Sequence, residues 1–482
     1  MANNTKSFFN NFIWRFLERC GAQGVSFVVA LILARLLDPA VYGITAIVTV
    51  FTAIMGVFVN SGMGNALIQK KDADDLDFSS VFYFNVTMSF LLYGVMFLAA
   101  PWIARFYRMP ELTAIVRVMS LSLVISGVKN VQQAYVSRNM LFKRFFFATL
   151  GGTIGAAVVG IWMAYRGYGV WALVAQNLFN QAVDTIILWA TVKWRPKAMF
   201  SLQRLKGLFS YGWKLLVSGL LNQIYDELRT LIIGKIYTTS DLAFYNRGGT
   251  FPATIVDNIN SSIDSVLLPT MSKEQDNADT VRGITRRAIK TSTYLIMPAM
   301  MGLAVCAEPI VKLILTEKWL PCVFFLRIFC FTYAFYPIHT ANLNAIKAMG
   351  RSDLFLKLEI IKKIVGLIAL FSTIWISVKA MAYSALVTSV LSQMINAWPN
   401  RKLLNYKYID QLRDMLPQIG LSCLMGVIVY CVTLLGLNEW ITLLIQIPLG
   451  IVIYIGGSKL FHIDSFAYVI SVVKQYLPKK KA

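Results

Sequence analysis

The stretch SSVFYFNVTMSFLLYGVMFLAAPWIA, Ser79 to Ala104, contains no charged side chain. Coiled as an α-helix at about 1.5 Å per residue, it is long enough to cross the roughly 30 Å hydrocarbon core of a bilayer. Comparable windows recur at about 12–36, 41–66, 113–136, 146–166, 169–192, 208–236, 241–268, 288–315, 320–346, 358–377, 379–399, 415–436 and 440–461. Only short polar breaks separate them, so no separate soluble domain fits. The 482 residues are 57% hydrophobic and 15% charged, with a mean hydropathy of +0.60, which exceeds what a soluble core of this size requires. The expected fold is therefore an all-α polytopic membrane protein with about 14 transmembrane helices.

The formal charge of +22 does not indicate nucleic acid, because the basic residues lie between apolar windows and not on a folded polar domain. Their placement gives orientation, since Lys and Arg are retained on the cytoplasmic side of short loops. Alternate connections carry Lys70 and Lys71, then Arg138, Lys143 and Arg144, then Lys193 to Lys206, Lys273 to Lys290, Lys347 to Lys357, Arg401 to Arg413 and finally Lys479 to Lys481. The connections between these hold few cations. Both termini are accordingly expected in the cytoplasm. The N-terminal segment carries Arg15, Glu18 and Arg19 inside the first window and lacks a small-residue cleavage site, so that helix is expected to be retained. Trp14, Trp102, Trp171, Trp194, Trp319, Trp398 and Trp440 lie near window ends, as interfacial anchors do.

The chain matches itself at an offset of about 200 to 210 residues. Asn60 to Ile68 (NSGMGNALI) parallels Asn260 to Leu268 (NSSIDSVLL), Tyr42 parallels Tyr245, and Arg117 parallels Arg327. An even number of windows separates the copies, so they run in the same direction, related by an axis along the membrane normal. The expected organisation is an N-terminal lobe at 1–192, a cytoplasmic linker at 193–207, a C-terminal lobe at 208–400, and two additional helices with a basic tail at 401–482. Each lobe would hold six helices.

Ionisable groups inside a bilayer are costly unless paired or wetted, so their positions point to function. In the seventh window Lys214, Ser218, Asn222, Tyr225, Asp226 and Arg229 share one helical face. In the eighth Arg247, Thr250, Thr254, Asp257, Asn258, Ser261, Asp264 and Ser265 do the same. These stripes, with Arg15, Glu18 and Arg19, are read as lining a cavity. Gln176, Asn180 and Asp184 in the sixth window are read as interhelical hydrogen bonding. The fourth and tenth windows add Lys129, Asn130, His339, Asn342 and Asn344. Candidate head-group contacts are Arg15, Arg19, Lys129, Lys214, Asn222, Arg229, Arg247, Asn258 and His339, because guanidinium and ammonium groups match anionic oxygens. Glu18, Asp226, Asp257 and Asp264 are candidate ion-coupling carboxylates, or partners of neighbouring cations. With two histidines, and six cysteines lacking a CxxC pair, neither a metal site nor a His-based catalytic centre is indicated. The cysteines are read as apolar packing.

The runs LARLLDPAVYG (Leu33 to Gly43), SGMGNALIQKKD, FKRFFF, GYGVWALVAQ, LFSYGWKLLVSGLLN, LAFYNRG, AEPIVKLILTEKW and AIKAMGRSDLFLKLEIIKK resemble those of colanic-acid-type polysaccharide exporters. These belong to the multidrug/oligosaccharidyl-lipid/polysaccharide flippase superfamily. The likeness covers roughly residues 10 to 400; beyond that only hydropathy matches. It implies a fourteen-helix, two-lobed transporter of a bacterial inner membrane with a cationic central cavity. Such a protein moves an undecaprenyl-pyrophosphate-linked oligosaccharide by alternating access, without catalytic residues or cofactors. Membrane lipids would surround it, with glycosyltransferases and a polymerase of the same assembly as potential partners. No GxxxxGK[ST] phosphate loop is present for direct ATP use. The competing readings are a small-molecule or drug antiporter of the same superfamily and a membrane-embedded polysaccharide polymerase or ligase. The short outer connections weigh against the polymerase.

Overall fold

The computed structural model describes residues 21–60, 63–70 and 72–476. Among these, helices dominate and no strand occurs. Contacts divide the chain into two units, 1–243 and 244–482. The first holds α1 (Gly21–Leu36), α2 (Pro39–Asn60), α3 (Met63–Gln69), α4 (Asp75–Tyr107), α5 (Leu112–Met119), α6 (Leu121–Arg138), α7 (Phe142–Tyr165), α8 (Val170–Thr191) and α9 (Leu202–Ile236). Then α10 (Thr239–Lys273) leads into the second unit. There follow α11 (Ala278–Val305), α12 (Ala307–Ile314), α13 (Cys322–Ala334), α14 (Tyr336–Ala348), α15 (Ser352–Thr373), α16 (Val378–Ala397), α17 (Asn400–Leu403), α18 (Tyr408–Thr433), α19 (Glu439–Leu460) and α20 (Asp464–Tyr476).

Nine segments among the described residues are long and apolar enough to cross a membrane: α2 with α3, α4, α5 with α6, α7, α11, α13 with α14, α16 with α17, α18, and α19. The chain is a multi-pass membrane protein. The remaining long helices, α8, α9, α10 and α15, carry more polar residues, and α1 is described from Gly21 only.

Local chemistry sets the boundaries. Asp74 caps α4, its side chain accepting the Asp77 N–H at 3.0 Å while the Asp77 side chain accepts from the Asp74 N–H at 3.3 Å. Ser201 caps α9 by accepting the Arg204 N–H at 3.3 Å, which starts that helix at Leu202, before the apolar window. The fourth window divides at Ser120, and the tenth divides at Phe335, where Pro337 in the first turn of α14 supplies no N–H. The C-terminal helix α20 lies beyond the last apolar window and was not expected.

In the first unit a core of Met63, Leu67, Phe78, Val131, Phe145, Leu188 and Trp194 joins α3, α4, α6, α7 and α8. Trp194 packs on Phe78 and Tyr135 with ring centroids 5.7 and 6.1 Å away. Trp194 and Trp319 are buried core residues, Trp171 is half-buried, and Trp102, Trp398 and Trp440 are exposed, while Trp14 lies outside the described residues. Close approach of α8 to α7 depends on glycine: a Cβ on Gly152 would sit 2.9 Å from the Asn180 carbonyl oxygen. In the second unit Tyr294, Leu421, Met425, Val429 and Tyr454 join α11, α18 and α19.

Each unit repeats the same pair of contacts. Asn130 donates to the Asn60 side chain at 2.8 Å, and Thr340 donates to the Asn260 side chain at 2.7 Å. Arg117 Nε donates to the Phe97 carbonyl at 3.3 Å, and Arg327 Nε to the Ala304 carbonyl at 3.2 Å. The residues that pair in the sequence comparison therefore make equivalent bonds.

Candidate substrate-facing polar surfaces

The polar stripe of α9 belongs to the first unit. Lys214, Ser218, Asn222 and Asp226 are exposed along one face, and Tyr225 and Arg229 are half-buried. Glu227, beside them, accepts the Gln223 amide at 3.1 Å on the same helix. On a 35-residue helix that crossed a membrane, such side chains would need water, a polar ligand or a protein partner, because hydrocarbon offers none.

The α10 stripe behaves similarly in the second unit. Thr250, Thr254, Asp257, Asn258, Ser261, Asp264 and Ser265 are exposed. Their hydroxyl and amide donors are met within the helix: Thr250, Thr254 and Asn258 donate to carbonyls one turn earlier at 2.9, 2.8 and 2.8 Å. The stripe thus needs no facing helix to satisfy its hydroxyls, and its carboxylates remain accessible. Asp264 accepts from the Asn344 amide of α14, four residues along from the Asn260 to Thr340 bond. Arg247 lies over the buried Trp319 ring, 5.1 Å from its centroid. A guanidinium over an aromatic face gains a cation–π attraction there.

Other candidates have different surroundings. Lys129 of α6 pairs with Asp184 of α8 at 3.1 Å, with both side chains largely buried. The sixth-window stripe therefore meets protein: Asn180 against Gly152, Asp184 against Lys129. The His339 ring nitrogen Nδ1 is 2.9 Å from the Asn396 amide, and Tyr336 packs beside the ring at 5.6 Å. Arg15, Glu18, Arg19 and Cys20 lie outside the described residues. Cys306, Cys322 and Cys330 are buried.

Several polar networks escaped the sequence reading. Arg286 of α11 forms a two-pronged pair with Asp414 of α18, Nε to Oδ2 at 2.7 Å and a terminal nitrogen to Oδ1 at 2.6 Å. The Tyr406 hydroxyl donates to the same carboxylate at 2.7 Å, and burial with that neighbouring charge pushes the Tyr406 pKa up. Lys290 bridges to Asp464 of α20 at 3.2 Å. Asn342, Gln411 and Asn400 form a buried amide triad. In the first unit Lys70 pairs with the fully buried Asp77 at 2.6 Å. The only sequence signal was the acidic run DADDLD following Lys70 and Lys71, since Arg286 and Lys70 otherwise read as ordinary loop cations.

Comparison with known proteins converges on one family. Residues 32–324 match the family model described as polysaccharide biosynthesis protein. The succinoglycan biosynthesis transport protein ExoT of Rhizobium meliloti is 25% identical over 317 residues, covering 66% of this chain and 64% of that protein, slightly under two thirds of its length. The teichuronic acid biosynthesis protein TuaB of Bacillus subtilis is 24% identical, covering 80% of each chain. Among solved structures, the lipid II flippase MurJ in an inward closed conformation superposes with a TM-score of 0.75 at 15% identity, covering 95% of this chain and 99% of that one. The matched segment runs from the end of α1 through α12 to the start of α13, and the superposition covers residues of both units. The chain belongs to the polysaccharide biosynthesis protein family and has the fold of the multidrug/oligosaccharidyl-lipid/polysaccharide flippase superfamily.

Proposed function

We propose that the protein is a flippase that carries undecaprenyl-pyrophosphate-linked oligosaccharide units from the cytoplasmic to the periplasmic leaflet of a bacterial inner membrane. The observation that carries this reading is the pair of polar faces, with Lys214 and Asn222 exposed and Arg229 half-buried on α9, and Asn258 exposed and Arg247 half-buried on α10. Moving a sugar pyrophosphate through hydrocarbon requires a wet, cationic route, and these are the faces on which a head group finds donors. The name of ExoT, a succinoglycan biosynthesis transport protein, supports a transporter over an enzyme.

In this reading α1, α8, α9, α10 and α15 also cross the membrane, giving fourteen spans with both termini cytoplasmic, as the distribution of Lys and Arg supports. Alternating access exposes the polar faces first to one side and then to the other, while the polyprenyl chain stays in lipid. The exposed carboxylates Asp226, Asp257 and Asp264 are the candidates for coupling to a proton or sodium gradient.

The test is translocation of a fluorescent undecaprenyl-pyrophosphate oligosaccharide in proteoliposomes, with and without an imposed gradient. Lys214→Ala and Arg247→Ala should each lower the rate on the order of tenfold, the effect of about 1.4 kcal/mol lost from a charge-assisted contact. Transport unchanged in the double variant would remove the cationic route, and wild-type transport indifferent to any gradient would remove coupling.

A further inference from the structure

Within the second unit, the basic end of α11 carries Arg282, Arg286, Arg287 and Lys290. Arg286 is committed to Asp414 and Lys290 to Asp464. Arg287 has no carboxylate within ion-pair distance among the described residues. Its guanidinium lies 5.5 Å from the ring centroid of Tyr468 on α20. That helix is seated by Phe466 and Val469 against the core of α11, α18 and α19. Arg287 and Tyr468 stand at a cavity of about 420 Å³ whose walls include Ile263, Val266 and Leu267 of α10 and Ile284 of α11. Ser262, Thr270, Thr291 and Ser292 also line it, the Ser262 and Thr270 hydroxyls donating to carbonyls of their own helix, so one positive charge beside an aromatic ring borders a mainly apolar recess on a membrane protein.

We propose that this recess is a binding site for an anionic glycerophospholipid, with the phosphodiester on Arg287 and an acyl chain in the cavity. The planar fork of Arg287 offers two parallel N–H donors to phosphate oxygens, and the volume lies in the range of ordinary ligand sites. A single uncompensated cation matches the one negative charge of a phosphodiester, not the higher charge of a pyrophosphate. The recess shares α10 with the polar stripe but differs from it in the ligand charge it matches, and the assignment holds whatever lipid-linked sugar that stripe carries. Tyr468 links occupancy to the seating of α20, so a bound lipid would tie the C-terminal helix to α10 and α11.

The experiment uses the full chain purified in mild detergent, with lipid retention read by native mass spectrometry and melting temperature read in parallel. Phosphatidylglycerol should be retained over phosphatidylethanolamine and should raise the melting temperature. Arg287→Gln should cut retention roughly five- to tenfold, the change expected when one basic side chain stops facing a phosphate. Ala288→Trp, which fills the recess and keeps the charge, should do the same, while Arg282→Gln on the same helix should change retention less than about twofold. Equal loss in Arg282→Gln and Arg287→Gln would mean diffuse surface attraction and overturn the site, as would no loss in Arg287→Gln. Equal stabilisation by inorganic phosphate would overturn the role of the acyl chain, and displacement of phosphatidylglycerol by equimolar undecaprenyl phosphate would overturn the glycerophospholipid assignment.

Discussion

Gly43, which closes the run LARLLDPAVYG, sits in the first turns of α2 against the start of α10 within the first unit. A Cβ at this position would lie 1.9 Å from the Thr239 carbonyl oxygen, 2.5 Å from its carbon and 2.8 Å from its Cα. These are backbone atoms of a helical turn, so no side chain can swing aside. Ordinary contact needs about 3.5 Å, so Gly43→Ala must drive α2 and residue 239 apart by more than an ångström. Overpacking of this kind costs up to about 3 kcal/mol, while the gain in helix propensity returns roughly 0.8 kcal/mol. A net loss of about 2 kcal/mol follows. The control lies in the same helix: nothing is within 4 Å of a Cβ on Gly56, so Gly56→Ala should be neutral or stabilising by up to about 1 kcal/mol. Unfolding of the two purified variants in mixed micelles would measure both. If Gly43→Ala stayed within about 0.5 kcal/mol of wild type, the close approach of α2 to Thr239 would be refuted.

The Arg286 to Asp414 pair should give a coupling of roughly 1.5–3 kcal/mol in a double-mutant cycle of Arg286→Ala and Asp414→Ala, because the carboxylate is buried and held by two parallel bonds; a coupling near zero would mean that α11 and α18 are joined by apolar packing alone. Asp184→Ala should destabilise more than Lys129→Ala combined with it, since the single change strands a largely buried ammonium, and melting temperatures of the two proteins would decide the order. Asp74→Ala should cost about 1 kcal/mol through loss of the α4 cap. The Asp77 N–H and Arg204 hold the Asp74 carboxyl below its ordinary pKa. Its contribution is thus present above the unfolded value near 4 and lost as the pH falls through the folded one, and the stability difference between wild type and Asp74→Ala should shrink on acidification.

The apolar windows were legible because crossing a bilayer imposes a length and composition that few other structures need. The α9 and α10 stripes were legible for a related reason: a polar face repeating every three or four residues has no lipid-facing explanation. Partnership was not legible. Lys129 reads the same whether it faces water or Asp184, 55 residues away, and only the packed α6 and α8 distinguish the two. Arg286 read as a loop cation because its partner lies 128 residues on, beyond the residues 32–324 that the family model matches. The start of α18 at Tyr408 was missed because its first turns bury polar groups, Gln411 and Asp414, and not apolar ones. Self-comparison groups 208–236 with the second half of the chain, whereas α9 makes its contacts with α2, α3 and α4. Ancestry and packing need not divide a chain at the same residue.

The repeated contacts sharpen where chemistry has diverged from scaffold. Asn60 with Asn130 and Asn260 with Thr340 hold equivalent helices together by the same bond, so that bond belongs to the architecture both units inherit. Four residues along, the units differ: Gly64 has nothing within 4 Å of a Cβ, while its counterpart Asp264 is an exposed carboxylate bonded to Asn344. A duplicated scaffold needs no charge at that level, since the first unit does without one. The carboxylate in the second unit is therefore the better guide to function than the repeated amide beside it. Asp264→Asn, which keeps a hydrogen-bonding group of the same size next to Asn344, isolates the charge. If it lowers translocation or its gradient dependence while Asn260→Ala lowers only stability, the division between scaffold and function stands; the reverse pattern would show that the shared bond, and not the added charge, is the working part.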